Sequence, residues 1–503
     1  MAAHSSVSWS LLQFVGIQGL LLFIVVFLLL ADYVKSRRPS RFPPGPIPYP
    51  FVGNLFSIDF KKAHESITQL SEKYGDVYSL RMGGTWTVVL NGFKIIKEAL
   101  VTQGESVSDR PMTALNNEVS NNLGVIGTNG HQWKQQRRFA LYTLKYFGVG
   151  KKSLESAILD EFAHLSQDIT DYNGKPFEPH LTLNNAVSNI ICTLVFGHRF
   201  QYSDRGFQNL MAMFDTALQL EASIWVELYD TFPVVMRRLP GPHQRVLKIW
   251  SEVKDFLRSE VKEHRKDWDP SEPRDYIDSY LTEIEKSKED VAARFDEENL
   301  IMCSLDLFVA GSETTSTTLR WSFLFMTKYP EIQEKVQAEL DQVIGRSRPP
   351  SMADRANLPY TEAVLHEVQR MGNIVPLSLP HITNKDIQLG DYLVPKGTTI
   401  IPNLTSVMFD KNEWETPLTF NPGHFLDKDG KFAKRTAFIP FSAGKRACLG
   451  ENLAKMELFL FFTSFMQKFA FSMPPGVKPV LDYRIGVTLA PLKYEICATL
   501  RDV

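Results

Sequence analysis

The segment FSAGKRACLG, residues 441–450, holds one cysteine, Cys448, which follows Lys445 and Arg446 and lies between two glycines. A disulfide needs a second cysteine at a suitable distance, and a zinc site usually shows paired ligands such as Cys-x-x-Cys. Neither arrangement is found nearby in the sequence. Because a thiol of pKa about 8.5 is almost entirely protonated at pH 7, a chemical role for Cys448 requires something that fixes the thiolate.

A metal would fix the thiolate, and with no neighbouring His or Cys it must obtain its other ligands elsewhere. Haem iron arrives with four porphyrin nitrogens, so one protein ligand suffices, and thiolate is among those known. Gly444 would allow a tight bend, and Gly450 would let a helix predicted over 451–462 lie close to a flat ring. Arg446 would supply charge for a haem propionate, with a lone surface arginine as the alternative. The segment therefore predicts a haem site.

The composition narrows the class of protein. Hydrophobic residues make up 44% of the 503 residues and charged residues 22%, which excludes disordered and fibrous classes. The formal net charge of -2 offers no electrostatic reason to expect a nucleic-acid partner. The four cysteines are too few and too scattered for a disulfide framework, which indicates a reducing compartment. They are Cys192, Cys303, Cys448 and Cys497.

The N-terminal region departs from this average composition. Residues 11–31 contain no charge and, at 1.5 Å per helical residue, would span about 31 Å, roughly one hydrocarbon core. No Lys or Arg precedes this run, and the cations that follow it are Lys35, Arg37, Arg38 and Arg41. We therefore expect one membrane span with the body of the protein in the cytoplasm. The segment PPGPIPYP, residues 43–50, predicts a stiff extended spacer after it.

Short segments predict a small amount of β-structure. Residues 78–80 and 85–90 indicate two strands around Gly83-Gly84, and residues 387–389 and 392–401 indicate a second hairpin around Gly390-Asp391. The pattern over 93–373 is mostly helical. We therefore expect one large, mainly α domain with a small β portion, preceded by a single N-terminal transmembrane helix.

One predicted helix, residues 300–328, is long enough to cross the whole domain at about 1.5 Å per residue. Its middle, AGSETTSTT at 310–318, is rich in residues that individually disfavour helix, a conflict that tends to mark a functional or strained site. Gly311 would permit close approach of something flat, and a threonine hydroxyl would bond back to the helix or turn to a ligand. A helix kink without chemistry is the alternative.

Four segments resemble motifs of the cytochrome P-450 family and occur in the family's chain order. WKQQR at 133–137 is similar to its Trp-x-x-x-Arg segment, AGSETT at 310–315 to its oxygen-binding segment, and EVQR at 367–370 to its Glu-x-x-Arg. FSAGKRACLG is similar to its haem-binding signature, Phe-x-x-Gly-x-Arg-x-Cys-x-Gly. The resemblance covers essentially the whole chain. It implies a membrane anchor (1–34), a basic stop and proline-rich hinge (35–50) and a haem-thiolate catalytic domain (51–503).

The resemblance also implies roles for individual residues. Cys448 is implied as the proximal ligand of the iron in haem b (iron protoporphyrin IX), where a thiolate favours O–O cleavage. Thr314 and Glu313 are implied as the pair that orders water and delivers protons to dioxygen. The implied donors to the haem propionates are Arg110, Trp133, Arg137, His381 and Arg446. The residues implied to brace the cysteine loop are Glu367, Arg370 and His424, the last standing where many family members carry Arg.

The implied lining of the substrate pocket is apolar throughout. It consists of Met112, Leu115, Ile126, Ala310, Val375, Leu379 and Val487. We therefore expect an apolar substrate positioned by shape more than by hydrogen bonds, with ordinary core packing as the alternative for any one of these residues. Residues 228–243 pair an apolar stretch with Arg237-Arg238 and resemble the family's membrane-dipping loop; a simple packed connection is the alternative.

Segments such as HRKDWDP and HEVQRMGNIVPL most resemble the J-type members of the second family of vertebrate microsomal enzymes, which epoxidise and hydroxylate arachidonic and linoleic acids. We therefore expect a monooxygenase that inserts one oxygen atom from O2 into a polyunsaturated fatty acid. A xenobiotic or steroid monooxygenase is the alternative; a peroxide isomerase and a non-catalytic haem sensor are further alternatives. Glu313 and Thr314 argue against the isomerase, which needs no proton delivery to dioxygen.

The sequence shows no flavin or nicotinamide fingerprint, so NADPH-derived electrons require a separate NADPH-cytochrome P-450 reductase, with cytochrome b5 as a further candidate partner. Six cations near the haem-binding motifs would form a basic docking face for such a flavoprotein, unless they are merely scattered surface charges. They are Lys134, Arg138, Lys145, Lys434, Arg435 and Lys445. The expected location is the endoplasmic reticulum membrane.

Overall fold

The computed structural model describes residues 2–501, with side chains from residue 18 onward. Met1 of the predicted anchor and Asp502 and Val503 of the predicted catalytic domain lie outside this range. The predicted span 11–31 falls within a helix, but its side chains before residue 18 are likewise outside the description.

The N-terminal helix, α1 (Ala2–Lys35), stands apart from the folded body. Within the side chains described, Gln18–Lys35 is the one helical window long and apolar enough to cross a membrane, and none of that window is buried. Two hydrogen bonds from the Arg81 guanidinium to the Asp32 carboxylate, at 2.5 and 3.0 Å, tie the end of α1 to the first strand. An exposed apolar helix needs an apolar environment, which makes α1 a candidate membrane anchor.

The remainder is mainly helical, as predicted. The helices that follow α1 in the described chain are α2 (Ala63–Tyr74), α3 (Phe93–Lys97), α4 (Ala114–Ser120), α5 (Gly130–Tyr146), α6 (Lys152–Thr170), α7 (Pro179–Phe196), α8 (Arg205–Glu221), α9 (Ile224–Thr231), α10 (Pro233–Met236), α11 (Pro242–Asp267), α12 (Tyr276–Lys286), α13 (Glu297–Lys328), α14 (Pro330–Val343), α15 (Pro359–Gly372), α16 (Leu404–Met408) and α17 (Glu451–Lys468).

The strands are short and form small sheets. They are β1 (Val77–Met82), β2 (Thr85–Asn91), β3 (His381–Ile382), β4 (Ile387–Leu389), β5 (Tyr392–Val394), β6 (Thr399–Asn403), β7 (Phe469–Ser472), β8 (Tyr483–Ile485), β9 (Leu489–Pro491) and β10 (Cys497–Leu500). The largest sheet has the order β1-β2-β6-β3, in which β2 and β6 are parallel and the other pairs antiparallel. The remaining strands pair in twos as β4 with β5, β7 with β10 and β8 with β9.

Both predicted hairpins form, but the second strand of the second hairpin is shorter than predicted. β1 and β2 pair around Gly83-Gly84 as expected. β4 and β5 also pair around Gly390-Asp391, but the prediction that the second strand runs over 392–401 is wrong: β5 ends at Val394, and β6 begins at Thr399 in the larger sheet. Pro395 has no N–H to donate to a ladder, and Gly397 takes a φ of +82 that turns the chain between the two strands.

Helix α13 runs through the core. Its N-cap Asp296 accepts a hydrogen bond from the backbone of Asn299 at 3.0 Å, and Pro330 follows its end, so it starts three residues before the predicted start at 300. It contacts α7, α11, α12, α15 and α17, and its aromatic side chains Phe308 and Phe323 are fully buried. Helix α17 extends to Lys468, beyond the predicted end at 462.

Residues 228–243, predicted as a membrane-dipping loop or a packed connection, form the end of α9, α10 and the start of α11. Val234, Val235 and Leu239 are exposed there, whereas Tyr229 and Met236 are buried. The segment therefore packs on one side and presents apolar side chains to the exterior on the other.

Candidate functional site

Cys448 lies between a 3-10 turn, Gly444–Arg446, and the start of α17. Its backbone N–H donates to the carbonyl of Phe441 at 3.0 Å, which closes the loop. Cys448 is exposed, whereas the other three cysteines are buried. Burial nevertheless raises the pKa of the Cys448 thiol, against the lowering effect of the backbone N–H of Gly450. An exposed but poorly solvated thiol indicates a recess within the protein.

The path of this loop requires glycine at 444. Its φ is +74, and a Cβ there would lie 1.8 Å from the carbonyl oxygen of Leu100. The tight bend predicted at Gly444 is therefore present. A Cβ at Gly450 would have one neighbour within 4 Å, the Cys448 sulfur at 3.8 Å. The space next to Gly450 is therefore open beside that sulfur.

Three guanidinium groups, from Arg110, Arg137 and Arg446, lie near the cysteine loop without forming an ion pair with any carboxylate in the described part of the chain. They bond instead to backbone carbonyl groups. These bonds run from Arg110 to Leu379 at 2.8 Å, from Arg137 to Ala447 at 2.6 Å and from Arg446 to Ser108 at 2.6 Å. The Arg446 guanidinium also stacks 3.8 Å from the ring centre of Trp133.

The positive charges of Arg110, Arg137 and Arg446 indicate a site for an anion. Burial lowers the pKa of Arg446 to about 9 and that of Arg110 to about 10, and each also feels a neighbouring arginine. Burial and Arg110 lower the pKa of His381 to about 3. Nε of Arg110 and Nε2 of His381 are buried without a partner. Carboxylates such as the two haem propionates would pair with these groups and offset the cost of burying them.

His381 adds a condition to its predicted role. Its Nδ1 lies 2.7 Å from the carbonyl oxygen of Val107, so Nδ1 carries the proton and Nε2 of the neutral ring is an acceptor. His381 would therefore donate to a propionate only as imidazolium, a form that an adjacent carboxylate favours.

Glu367 and Arg370 form a fully buried ion pair on α15, with two bonds at 2.7 and 2.8 Å. The backbone N–H of Asn421 donates to Glu367 at 2.8 Å, and Nδ1 of His424 lies 3.2 Å from both of its oxygens. Arg370 also donates to carbonyls of the segment that precedes the cysteine loop, including that of Pro417 at 2.8 Å. The three residues predicted to brace the loop thus come together, and they do so through residues 408–424 rather than through direct bonds to 441–450.

The neighbours Thr314 and Glu313 face different surroundings. Thr314 is half-buried and donates back to the carbonyl of Ala310 at 2.7 Å, while Ala310 itself is exposed although α13 crosses the core. An opening therefore lies against this part of the helix. Glu313 is 8% exposed, accepts from Thr488 at 2.8 Å, and has its pKa raised by burial.

The close approach predicted at Gly311 is made by a side chain. A Cβ at this position would lie 2.4 Å from Cδ1 of Ile191 on α7. The prediction that Gly311 makes room for something flat is therefore wrong, because the Ile191 side chain occupies the space next to Gly311. Helix α13 is unbroken through 310–318, and the hydroxyls of Thr314 and Thr318 donate back to its carbonyl groups.

The predicted pocket residues differ in exposure. Met112, Ile126 and Ala310 are exposed and Val375, Leu379 and Val487 are half-buried. Leu115 is 5% exposed and packs in the main apolar core, so the structure does not place it on an open surface.

The predicted docking cations fall into two groups. Lys445 pairs with Glu105 and Arg435 with Glu415, so part of their charge is already neutralised. The other four are exposed and form no ion pair within residues 18–501. They are Lys134, Arg138 and Lys145 on α5 and Lys434 in the loop before the cysteine segment.

Sequence reasoning missed Asn129. Its side-chain oxygen accepts from the backbone of Arg110 at 2.7 Å and from Arg446 at 3.0 Å, and its amide donates to the Arg110 carbonyl at 2.9 Å. It therefore links two of the cationic residues across the start of α5. The only local signal is an asparagine before a helix, which by itself indicates a cap.

Comparison with known proteins agrees with this site. Residues 43–498 match the family model described as Cytochrome P-450. The chain is 50% identical over 498 residues to Cytochrome P-450 2J2 of Homo sapiens, covering 99% of each chain. It is 50% identical over 501 residues to Cytochrome P-450 2J1 of Oryctolagus cuniculus, covering 100% of each, and 49% identical to Cytochrome P-450 2J3 of Rattus norvegicus over 98% of this chain and 97% of that one.

Proposed function

Because the chain belongs to the cytochrome P-450 family, and is about 50% identical to members of its 2J subfamily, we propose that it oxygenates polyunsaturated fatty acids such as arachidonic acid, by epoxidation or hydroxylation. The enzyme is an oxidoreductase of the monooxygenase type that uses haem, O2 and NADPH-derived electrons supplied through a reductase. The observation that supports the haem-thiolate part of the proposal is an exposed thiol beside three guanidinium groups that form no ion pair with a carboxylate of residues 18–501. The similarity to the 2J relatives supports the substrate class.

The residues around Cys448 fit a haem. Bound haem supplies the electron-transfer and dioxygen chemistry of the reaction. Cys448 would hold its iron through Sγ, with the backbone N–H groups of Gly450 and Glu451 directed at the sulfur. Arg110, Arg446 and protonated His381 would bind the propionates, with Trp133 and Arg137 beside them, because charge-assisted bonds are strongest there.

Thr314 and Glu313 would order water and deliver the protons that the reaction with dioxygen needs. The Thr314 hydroxyl lies at the opening beside Ala310, where it can both accept and donate a hydrogen bond. Glu313 is buried and burial raises its pKa, so its carboxyl group holds a proton more readily than that of an exposed glutamate. Glu367, Arg370 and His424 would keep the preceding segment rigid.

The substrate class rests on the apolar lining. Met112, Ile126, Val375, Leu379 and Val487 offer no charge that would orient a polar substrate, so shape would select the carbon or double bond attacked. The exposed apolar side chains of α10 would contact the lipid phase from which a fatty acid enters.

The proposed location is the endoplasmic reticulum membrane, with α1 as a single span and the catalytic domain in the cytoplasm. The cations after 34 and the lack of Lys or Arg before 11 support this orientation. The proposed electron donor is NADPH-cytochrome P-450 reductase, with cytochrome b5 as a further partner.

The test uses membranes that contain the full chain and purified reductase, supplied with NADPH, 18O2 and a mixture of arachidonic acid, linoleic acid, drugs and steroids. We expect epoxides or alcohols of the fatty acids that carry one 18O atom and that form only with reductase. Cys448→Ser should abolish both product and the red-shifted carbon monoxide band of thiolate-bound haem. The buried Cys497→Ser should retain both.

Other outcomes identify other functions. Oxygenated drugs or steroids without fatty-acid products would replace the proposed substrate class. Products formed without O2 and reductase would show a peroxide isomerase, and haem binding without NADPH consumption would show a sensor. An unaltered carbon monoxide band in Cys448→Ser would refute the ligand assignment.

A further inference from the structure

Charged and polar side chains from four parts of the fold meet around Glu313. His180 of α7, Asp215 of α8 and Glu313 of α13 have side-chain N and O atoms within 4.8 Å of one another. Arg484 of β8 forms an ion pair with Asp215, and Thr488, between β8 and β9, donates to Glu313 at 2.8 Å. We name these five residues the Glu313 cluster.

The cluster reaches from solvent to the buried carboxyl group. The side chains of Asp215 and Arg484 are 20% and 21% exposed, whereas that of His180 is 4% exposed. The second oxygen of Asp215 accepts from the exposed Gln219 at 2.8 Å. Asp215 is therefore the acidic group of the cluster that contacts water.

Half of the Glu313 carboxyl group is left open. Its Oε1 accepts from Thr488 at 2.8 Å and from Thr317 at 3.2 Å, while Oε2 receives no hydrogen bond from the described chain. The Ser312 hydroxyl is buried and also lacks a partner. Both residues line a cavity of about 10 Å³ between α7, α8 and α13. This is about the space that one water molecule needs, and buried polar atoms of this kind are usually satisfied by water.

A metal ion is the alternative occupant, and the charges oppose it. Arg484 already pairs with Asp215, and the buried Arg320 guanidinium has two nitrogens without partners and acts on Glu313. Burial lowers the pKa of His180 to about 3, so its ring is neutral. Two carboxylates therefore face two guanidinium groups, and a divalent cation would leave excess positive charge.

The surroundings of Glu313 suit a group that changes protonation. Burial raises its pKa, the Thr488 bond lowers it, Asp215 raises it, and Arg320 and Arg484 lower it. His180 of α7 also faces Glu313, and the charge of Lys493, in the C-terminal segment, lowers the pKa of His180. Removing the negative charge of Asp215 should therefore lower the pKa of Glu313, and removing the positive charge of Arg484 should raise it.

We propose that Asp215 is the residue through which Glu313 recovers its proton from solvent during turnover. A separation of up to 4.8 Å between their oxygens is one that a single bridging water spans. An acid in the solvent protonates the Asp215 carboxylate; that O–H bond breaks as the bridging water passes a proton on, and a new O–H bond forms at the Glu313 carboxylate. Asp215 returns to its ionised state. The inference rests on the proposed role of Glu313. Asp215 acts only through Glu313 and is therefore a positioning residue.

The first test follows the infrared carboxyl stretch of protonated Glu313 against pH in the resting holoenzyme, assigned by its loss in Glu313→Gln. Asp215→Asn should lower the titration midpoint by about one pH unit or more, because a negative neighbour is removed. Arg484→Gln breaks the same ion pair but should raise the midpoint. Shifts in the same direction, or no shift, would show that the ion pair has only a structural role and would overturn the proposal.

The second test measures hydrogen peroxide formed per product. Asp215→Asn should raise this ratio at least about threefold and increase the solvent deuterium isotope effect on product formation, because proton supply becomes limiting. Asp255→Asn, at the exposed pair with Arg258, should change neither. An unchanged ratio in Asp215→Asn, with a raised ratio in Glu313→Gln, would overturn the role of Asp215 alone. An unchanged ratio in both would overturn the role of Glu313 as well.

Discussion

Gly444 is the residue on which the shape of the cysteine loop most directly depends. Its backbone conformation is one that other residues rarely adopt, and the carbonyl oxygen of Leu100 occupies the space that a Cβ would need. That carbonyl belongs to the π-helical turn Glu98–Thr102 after α3, so the contact also fixes the loop against the β-sheet side of the molecule. A backbone contact thus holds the cysteine loop against this turn.

Gly444→Ala should separate this contact from backbone strain. We expect haem content to fall severely and stability to drop by about 3 kcal/mol or more, because the loop must move away from Leu100. Gly430→Ala is the matched control, since Gly430 has a φ of +75 but nothing within 4 Å of a Cβ. Pigment absorbance and thermal unfolding measure both effects. Equal losses in the two variants would contradict the steric explanation.

At the scale of elements, the junction of α11 and α12 shows how a buried ion pair joins two helices. Nε2 of His264, near the end of α11, lies 3.0 Å from Asp275, which caps α12 through the backbone of Asp278 at 3.0 Å. Nδ1 of His264 lies 2.7 Å from the carbonyl of Glu260, so both ring nitrogens must donate. Burial, the largest single influence, lowers the pKa of His264, but the hydrogen bond to Asp275, the charge of Asp275 and the Glu260 carbonyl together raise it to about 9.

The stability contributed by this pair should depend on pH. Because the folded-state pKa lies above the usual value of about 6.5, the stabilisation, about 3 kcal/mol, is fully present below about pH 6.5 and is lost as pH rises through about 9. His264→Gln should therefore lower the unfolding temperature more at pH 6 than at pH 10. His131→Gln, at an exposed pair with Asp290, should show no such difference. An equal loss for His264→Gln at both pH values would exclude the ionised pair.

At the scale of the whole molecule, the charge is nearly balanced, so partner recognition depends on local distribution. Lys134, Arg138 and Lys145 stand on one exposed helix, α5, which also carries the Trp133 and Arg137 of the site. Exposed Leu141, Tyr142 and Tyr146 lie among them. A basic surface with apolar contacts, on the helix that reaches the haem site, suits an acidic electron donor.

Haem reduction by the reductase should slow as salt increases. We expect a fall of about tenfold between about 0.05 and 0.5 M ionic strength, because screening weakens the attraction between exposed charges. Lys134→Gln should reduce both the low-salt rate and its salt dependence in stopped-flow measurements. Lys248→Gln, on the exposed side of α11, is the control and should change neither. A rate independent of salt would contradict the docking surface.

Sequence alone determined the features that depend on local chemistry. The charge-free N-terminal run and the first hairpin follow from short-range chemistry, and the four motifs together identify the family. The helix through AGSETTSTT forms although the local propensity of that segment opposes it. Tertiary structure decided which distant groups meet: Ile191 beside Gly311, Glu105 beside Lys445, Asn129 between two arginines, and Asp215 with His180 beside Glu313. These pairings join residues far apart in the chain, and no periodicity or spacing encodes them, because they depend on how helices pack against one another.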